Sequence, residues 1–381
     1  MNRLRSFLIG IIITLSVLFC AVTLSYSYTG EAGPPMLKMV YGSRALSLGG
    51  AFVGLSDDAF YIDSNPAGGD TRSIYKVSIL HQEWIEDINY EAIRFTGGIA
   101  DRFFFGAGFT YLYLPFVYYD YYGETSGKSH IISQSLGILN FGYTFKPTNI
   151  SVGTNLKVFY NHVPEDLYPG QSYFLFATDI GFIWRTNLLK RYIGPDPSMV
   201  FGLAVKNLGY SAMIEKLPIE IHAGASYRFL ENLLVTTEIA ISIFEQIYGA
   251  VGVEYDFSKT FFLEGGVQIK ENPMFAVGLG YRSKDMRINI SYTPSIEFYN
   301  MISASFSYYF GETKLEKSTK TIEDFYTKAL EYYRDAKYRE ALDMVEKVLE
   351  SDQGHKEALQ LKSAILVKIK VEEEREQLEK E

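Results

Sequence analysis

Few side chains in this 381-residue chain are of the types that do chemistry, and their spacing supports none of it. The five histidines, His81, His130, His162, His222 and His355, are scattered and show no metal-ligand spacing. The single cysteine, Cys20, falls in an apolar leader, so a disulfide framework and a thiol nucleophile are excluded for the mature chain. No G-x-S-x-G elbow and no Ser/His/Asp spacing suited to acyl transfer is present. The expectation is therefore a non-enzyme with no catalytic group, no metal and no cofactor. A net charge of -9 and a pI near 5.3 give nothing that attracts nucleic acid.

One stretch carries a different chemistry, that of backbone shape. Tyr41 to Asp70 is rich in Gly, Ala and Ser and holds Gly49-Gly50, the acidic pair Asp57-Asp58 and the tripeptide Asn65-Pro66-Ala67. Glycines let a backbone pack closely against a wall. Pro66 removes a donor and biases Asn65 toward extended geometry. We read residues 28–72 as a plug, or hatch, and the chain after it as the barrel that the plug fills.

The elements that must position this stretch follow from composition and period. Tyr (30), Phe (27) and Gly (32) are abundant, and Trp (2) is rare. Aromatic rings with tight turns suit lipid-facing sheets, and a mean hydropathy of -0.01 fits a barrel in which only alternate residues face lipid. Period-two alternation recurs from 73 to 310. Ile302, Ala304, Phe306, Tyr308 and Phe310 oppose Ser303, Ser305 and Ser307. Fourteen strands are expected, near 73–82, 88–98, 103–113, 131–145, 149–160, 173–185, 199–207, 219–229, 233–243, 247–257, 260–269, 273–283, 286–293 and 301–310. Short polar connections alternate with long ones such as 114–130, 161–172 and 208–218. The stretch 186–198 is a long connection on the short side. Such alternation is the asymmetry of an outer-membrane barrel. The inward face would hold Glu220, His222, Arg228, Glu238, Glu254, Arg282 and Arg287, either as lumen residues paired among themselves or as substrate contacts.

Two flanking segments differ. Met1 to Ser27, with Arg3 and Arg5 before an apolar run and Ser25-Tyr26-Ser27 after it, has the order of a secretory signal peptide. From residue 312 the period becomes helical, with Thr319 or Thr321 as the expected N-cap. Phe325, Ala329, Tyr332, Ala336, Tyr338, Ala341, Val345, Val348 and Leu349 are spaced like one tetratricopeptide repeat, with Ala336 where that pattern has Gly. One such repeat buries its face on neighbours, so 312–381 is expected to be a periplasmic helical module that docks a protein partner through Phe325, Tyr332 and Tyr338.

The plug sequence, from Gly42 to Ala59 and through Ser64-Asn-Pro-Ala-Gly68, resembles the N-terminal signature of FadL-type outer-membrane proteins, including spirochaete FadL-like and PorV-like members. Asn65, Pro66 and Ala67 are its most specific part, and beyond the plug the likeness is one of pattern. The resemblance implies a fourteen-stranded all-β transmembrane barrel, residues 73–311, with a hatch gated around Gly49, Gly50, Asn65, Pro66 and Ala67. It also implies passage of long-chain fatty acids or other hydrophobic molecules across the outer membrane. The PorV-like alternative is a scaffold for secreted or periplasmic proteins.

Overall fold

The computed structural model describes residues 33–72, 74–84, 88–119, 122–166, 169–194, 196–210, 216–243, 247–270, 272–294, 300–311, 314–352 and 354–378. The expected signal peptide, 1–27, lies outside the described residues. The chain divides into two compact units, Met1–Phe310 and Gly311–Glu381.

The first unit is a closed antiparallel barrel of fourteen strands: β1 (Tyr75–Glu83), β2 (Asn89–Ile99), β3 (Phe103–Tyr119), β4 (Thr125–Phe145), β5 (Ile150–His162), β6 (Tyr173–Thr186), β7 (Met199–Tyr210), β8 (Glu220–Leu230), β9 (Leu233–Ser242), β10 (Tyr248–Asp256), β11 (Phe261–Ile269), β12 (Met274–Arg282), β13 (Met286–Thr293) and β14 (Met301–Phe310). Each strand pairs with its sequence neighbours. β14 closes on β1, with Tyr75 opposite Phe310 and Glu83 opposite Ile302. Closure leaves no unpaired sheet edge around the wall.

The two-residue period decides which face turns inward. Ser303, Ser305 and Ser307 are buried inside, whereas Ile302, Phe306 and Tyr308 are 47%, 38% and 49% exposed outside. The outward face continues as an apolar belt that includes Ile79, Phe109, Leu156, Phe182, Leu263 and Val277. Water disfavours so large an apolar surface, and hydrocarbon accommodates it. Among the described residues no helix is long and apolar enough to cross a membrane, which says nothing of strands.

One expected connection is strand. The stretch 114–130 continues the β3–β4 ladder from Leu114 opposite Ile132 to Tyr119 opposite Thr125, with a register shift after Val117. β2 pairs with β3 only as far as Tyr113, and β5 pairs with β4 only from Ser133 onward. Beyond those points the hairpin is a two-stranded ribbon. Pro115 reads as a breaker in sequence, yet a strand without a neighbour on one side tolerates a residue that cannot donate.

Residues 33–72 run inside the barrel. A 3-10 turn (Pro35–Leu37) precedes two short helices, α1 (Ser43–Ser47) and α2 (Tyr61–Ser64). Gly49 and Gly50, at φ +69° and +86°, adopt the left-handed backbone that stops α1. Asn65, extended at φ -144° and ψ 111°, ends α2 before Pro66, as a pre-proline residue should.

The second unit holds three helices: α3 (Lys314–Arg334), α4 (Tyr338–Ser351) and α5 (Lys356–Leu378). α3 starts earlier than the Thr319 or Thr321 cap implied, because no Gly or Pro in 314–321 interrupts it. Ala336 sits at φ +58°, the left-handed position that glycine favours, in the turn between α3 and α4. Ala329, Ala341, Val345, Val348, Ala358, Leu361 and Ile365 form the buried core of this unit.

Candidate functional site

The inner segment follows the barrel wall because the wall makes room for it. Glycines that face the segment include Gly153 (β5), Gly181 (β6), Gly202 (β7), Gly224 (β8), Gly252 (β10), Gly266 (β11) and Gly278 (β12). A Cβ on any of them would overlap atoms of the segment. The contacts run in order around the wall. Ser47 lies against Gly278, Leu48 against Gly266 and Gly252, Val53 against Gly224 and Gly202, and Asn65-Pro66 against Gly181 and Gly153. On β9 the Thr236 hydroxyl donates to the Ala51 carbonyl. Ladder pairing aligns these gaps in the wall, with Gly153 directly opposite Gly181, Gly202 opposite Gly224 and Gly252 opposite Gly266.

Four polar anchors fix the segment. At the first, Arg44 Nε donates to Glu254 Oε2 at 2.7 Å, and the guanidinium also pairs with Asp57 and lies 3.6 Å from Glu264. Ser47 Oγ donates to Glu264 Oε2 at 2.5 Å, and Arg287 reaches Glu254 and Glu264 at 3.4 and 3.7 Å. At the second, Glu238 Oε2 accepts the Phe52 and Val53 amides, each at 2.8 Å. Its other oxygen meets His222 Nδ1 at 2.7 Å, and His222 Nε2 meets Glu220 Oε2 at 3.0 Å. At the third, Arg94 makes a two-pronged contact with Asp63 at 2.8 and 2.9 Å. Its remaining donors go to Thr110 and to the Ile93 and Phe109 carbonyls. A fully buried guanidinium is tolerated when every donor is used.

The fourth anchor is the Asn65-Pro66-Ala67 corner. Asn65 Nδ2 donates to the Val53 and Phe182 carbonyls at 3.0 and 3.1 Å, and Asn65 Oδ1 accepts the Ala67 amide at 3.0 Å. Asn140 Nδ2 donates to the Pro66 carbonyl at 3.0 Å, and Asn155 Nδ2 donates to the Ile62 carbonyl at 2.7 Å. Lys157 and Asp179 complete this network at 2.8 Å. Asn65→Ala leaves buried carbonyls without a donor, at a cost of about 1–3 kcal/mol. Asn65→Asp sets a carboxylate against the same two carbonyls and is the worse substitution. Amide-exchange protection over 53–67 is expected to fall in the order native, Ala, Asp, and equal protection in all three would refute this role.

Electrostatics set the acid response of the first anchor. Burial opposes ionisation of Asp57, which is 44% open yet deep among wall atoms, but Arg44 and then Arg287 outweigh it. Its pKa drops from 3.8 to about 2. A depressed acid contributes stability in full above its unfolded pKa and loses it as pH falls through the folded one. The Arg44–Asp57 pair therefore holds the segment undiminished from neutrality down to 3.8 and weakens toward 2. Protease access to 41–70, measured against pH with an acid-tolerant protease, is expected to follow that course.

Beside these anchors the interior also holds an apolar cluster. Leu80, Ala92, Leu112, Leu136, Phe159 and Leu175 turn inward from β1 to β6 and pack with Met36, Leu37, Phe60 and Ile62 of the inner segment. A separate groove of about 710 Å³ lies on the outer wall around Phe109, Gly137, Leu139, Val158 and Phe176, so it belongs to the belt and not to the lumen.

The residues singled out in sequence divide as follows. Gly49, Gly50, Asn65, Pro66 and Ala67 all lie in the wall-hugging path. Glu220, His222 and Glu238 form one buried chain. Arg282 pairs with Asp256 at 2.8 Å, and Arg228 donates to the Glu231 carbonyl in an exposed turn. Phe325, Tyr332 and Tyr338 are partly buried and pack against the core of the helical unit. Sequence reasoning missed Arg44, Asp63, Arg94, Asn140, Asn155 and the glycine belt. A cation inside a Gly/Ala/Ser-rich stretch, and glycines in the inward phase of successive strands, were the available signals. Among the described residues no His/Cys/Asp/Glu group is placed to hold a metal ion.

The profile of an uncharacterised protein family, UPF0164, matches residues 28–309. Two UPF0164 proteins of Treponema pallidum (strain Nichols) are 27% and 26% identical over 179 and 183 residues. These matches take in 45% and 46% of this chain and 43% and 54% of the relatives, so the match spans about half the length of each. A further UPF0164 protein of the same organism is 24% identical over 90% of this chain and 76% of its own length. Among solved structures, the Pseudomonas putida toluene transporter TodX has a TM-score of 0.49 at 12% identity, covering 71% of this chain and 97% of that one. The CymD monoaromatic hydrocarbon channel has a TM-score of 0.48 at 12% identity, with 71% and 97% covered.

Proposed function

This chain belongs to the uncharacterised family UPF0164, and from that premise we propose that it is an outer-membrane channel for small hydrophobic molecules such as long-chain fatty acids. The observation that carries this reading is an apolar cluster within the interior. Inward Leu80, Leu112, Leu136 and Phe159 pack with Met36, Leu37, Phe60 and Ile62 of an inner segment that discrete polar anchors hold around the whole wall. The inner segment acts as the hatch: it keeps water out of the lumen and yields when anchors open. The apolar outer belt supports placement in a bilayer, and a closed β-barrel suits an outer membrane. An apolar cargo favours such a lumen by ordinary burial.

The test is uptake into liposomes carrying the full chain. Labelled palmitate and labelled toluene are supplied separately, with a small polar sugar as the leak control. Uptake of either hydrophobic probe above protein-free and unrelated-barrel liposomes, with the sugar excluded, is the expected result. Entry of neither probe overturns the channel reading. A PorV-like scaffold is the second reading, and the observation favouring it is the exposed apolar face of α5 in the helical unit, where Leu366 and Val367 are 48% and 62% open.

A further inference from the structure

We infer that the outer wall carries a site for one membrane phospholipid, a furrow along β4 that takes an acyl chain in its apolar part and the polar head at its rim. The inference rests on the barrel's place in a bilayer and not on what passes through its lumen.

The furrow follows from side-chain size on one face of three strands. Ser133, Ser135 and Gly137 take successive outward positions of β4, before the same phase continues with the large side chains of Leu139 and Phe141. The ladders set Tyr113, Tyr111 and Phe109 of β3 beside them on one side, and His162, Tyr160 and Val158 of β5 on the other. A row of small residues between two rows of large ones leaves a groove. Its apolar part is the outer cavity of about 710 Å³, whose floor continues from Gly137 to Ala107 of β3, opposite Phe95 of β2. That volume falls within the roughly 300–1,000 Å³ of ligand clefts. The chain's own packing does not use the space, since a Cβ on Gly137 would meet only the Val158 carbonyl, at 3.9 Å. Gly153 on the next strand, in the inward phase, is instead pressed against the inner segment.

Position and chemistry name the occupant. The groove opens on the apolar belt, so hydrocarbon is the medium against it. Its other end is the row of Tyr113, Ser133 and His162, where the closed wall also ends, because β2 pairs no further along β3 and β5 no further along β4. Membrane barrels carry amphipathic aromatics at that level, with the ring against acyl chain and the hydroxyl against the headgroup. The two walls are stiffened by ring pairs: Tyr111 stacks with Tyr113 at 5.8 Å between centroids, and Tyr160 with Phe174 at 4.4 Å. Tyr111, Ser135 and Tyr160 stand in one row across the furrow, and their hydroxyls suit phosphate or ester oxygens. The fitting molecule is apolar over Gly137 and Ala107 and bears oxygens at Ser133 and Ser135, as a phospholipid chain does with its ester and phosphate groups. Phospholipid surrounds the belt of an embedded barrel, which makes it the source in preference to a free fatty acid.

The test is native mass spectrometry of the full chain in mild detergent, with dipalmitoylphosphatidylglycerol or palmitate added in separate arms. The unsubstituted chain is expected to retain one phospholipid per copy. Gly137→Leu fills the floor from a site where a Cβ displaces nothing, and is expected to lower that adduct about 10-fold as methylene contacts are lost. Gly265→Leu puts the same side chain at an open outward site on β11 and is expected to leave the adduct unchanged. Heat-modifiable migration checks that each barrel is closed. Ser135→Phe blocks the furrow at a second position and carries the same expectation, so the test stands even where Gly137→Leu does not close. The proposal is overturned by equal phospholipid adducts in the blocked variants and in Gly265→Leu, or by an adduct with palmitate and none with the phospholipid. A two-copy mass that the blocked variants reduce to one overturns it as well, because the groove is then an interface between copies.

Discussion

Arg44→Met is expected to release the inner segment from the barrel while the wall stays closed. The guanidinium is buried against Glu254, Glu264 and Asp57, and only Arg287 remains near two of them once it is gone. Removing one partner of a buried charge cluster costs about 3–5 kcal/mol, because the remaining carboxylates keep their desolvation penalty without compensation. The strand ladders of the barrel do not include Arg44, so heat-modifiable migration on gels is expected to persist. In liposomes the variant is expected to admit the small polar sugar, and the native chain is expected to exclude it. Arg44→Lys falls between the two, since a point charge cannot meet several carboxylates in the fixed fork geometry of arginine. Sugar exclusion and protease resistance over 41–70 that match the native chain would show that the anchor has no such role.

The second large effect comes from two adjacent glycines. Gly265 and Gly266 are neighbours on β11 that point to opposite faces. A Cβ on Gly265 meets nothing within 4 Å, whereas one on Gly266 overlaps the Leu48 and Gly49 backbone. Gly266→Val therefore pushes the segment off the wall. Overpacking of this kind costs about 1–3 kcal/mol or more, and here the obstructing atoms are backbone with no rotamer to change. Gly265→Val adds apolar surface to the outer belt and is expected to be neutral in both sugar permeability and unfolding midpoint. Equal behaviour of the two variants would mean that the segment does not rest on this wall.

The helical unit shows that a local pattern reaches the core more readily than the surface. Phe325, Tyr332 and Tyr338 have the spacing of packed helical positions, and they do pack. Their exposure to a partner did not follow from that spacing. Exposed apolar side chains occur instead at Leu330 of α3 and at Leu359, Leu366, Val367 and Val371 of α5, interspersed with polar ones, which a single-stripe pattern overlooks.

The strands were legible for a physical reason. A residue's face depends only on the parity of its position, so Ser303, Ser305 and Ser307 could be turned inward from sequence, and the boundaries of β13 and β14 coincide with those expected. The break after α1 at Gly49-Gly50 and the extended Asn65 were legible too, because glycine and proline act on their own backbone dihedrals and those beside them. The β3–β4 ribbon was not, since Pro115 is a breaker inside a sheet and harmless beside an empty edge, and the edge exists only once β2 and β5 have ended. By itself the sequence determined the number of strands, their inward phase and the compositional distinctness of Tyr41–Asp70. Only the tertiary structure decided that Arg44 meets Glu254, that Val53 meets Gly202 and that Asp63 meets Arg94. Those pairs are set by barrel closure and ladder register, which bring together residues far apart in the chain, and no local propensity encodes that distance.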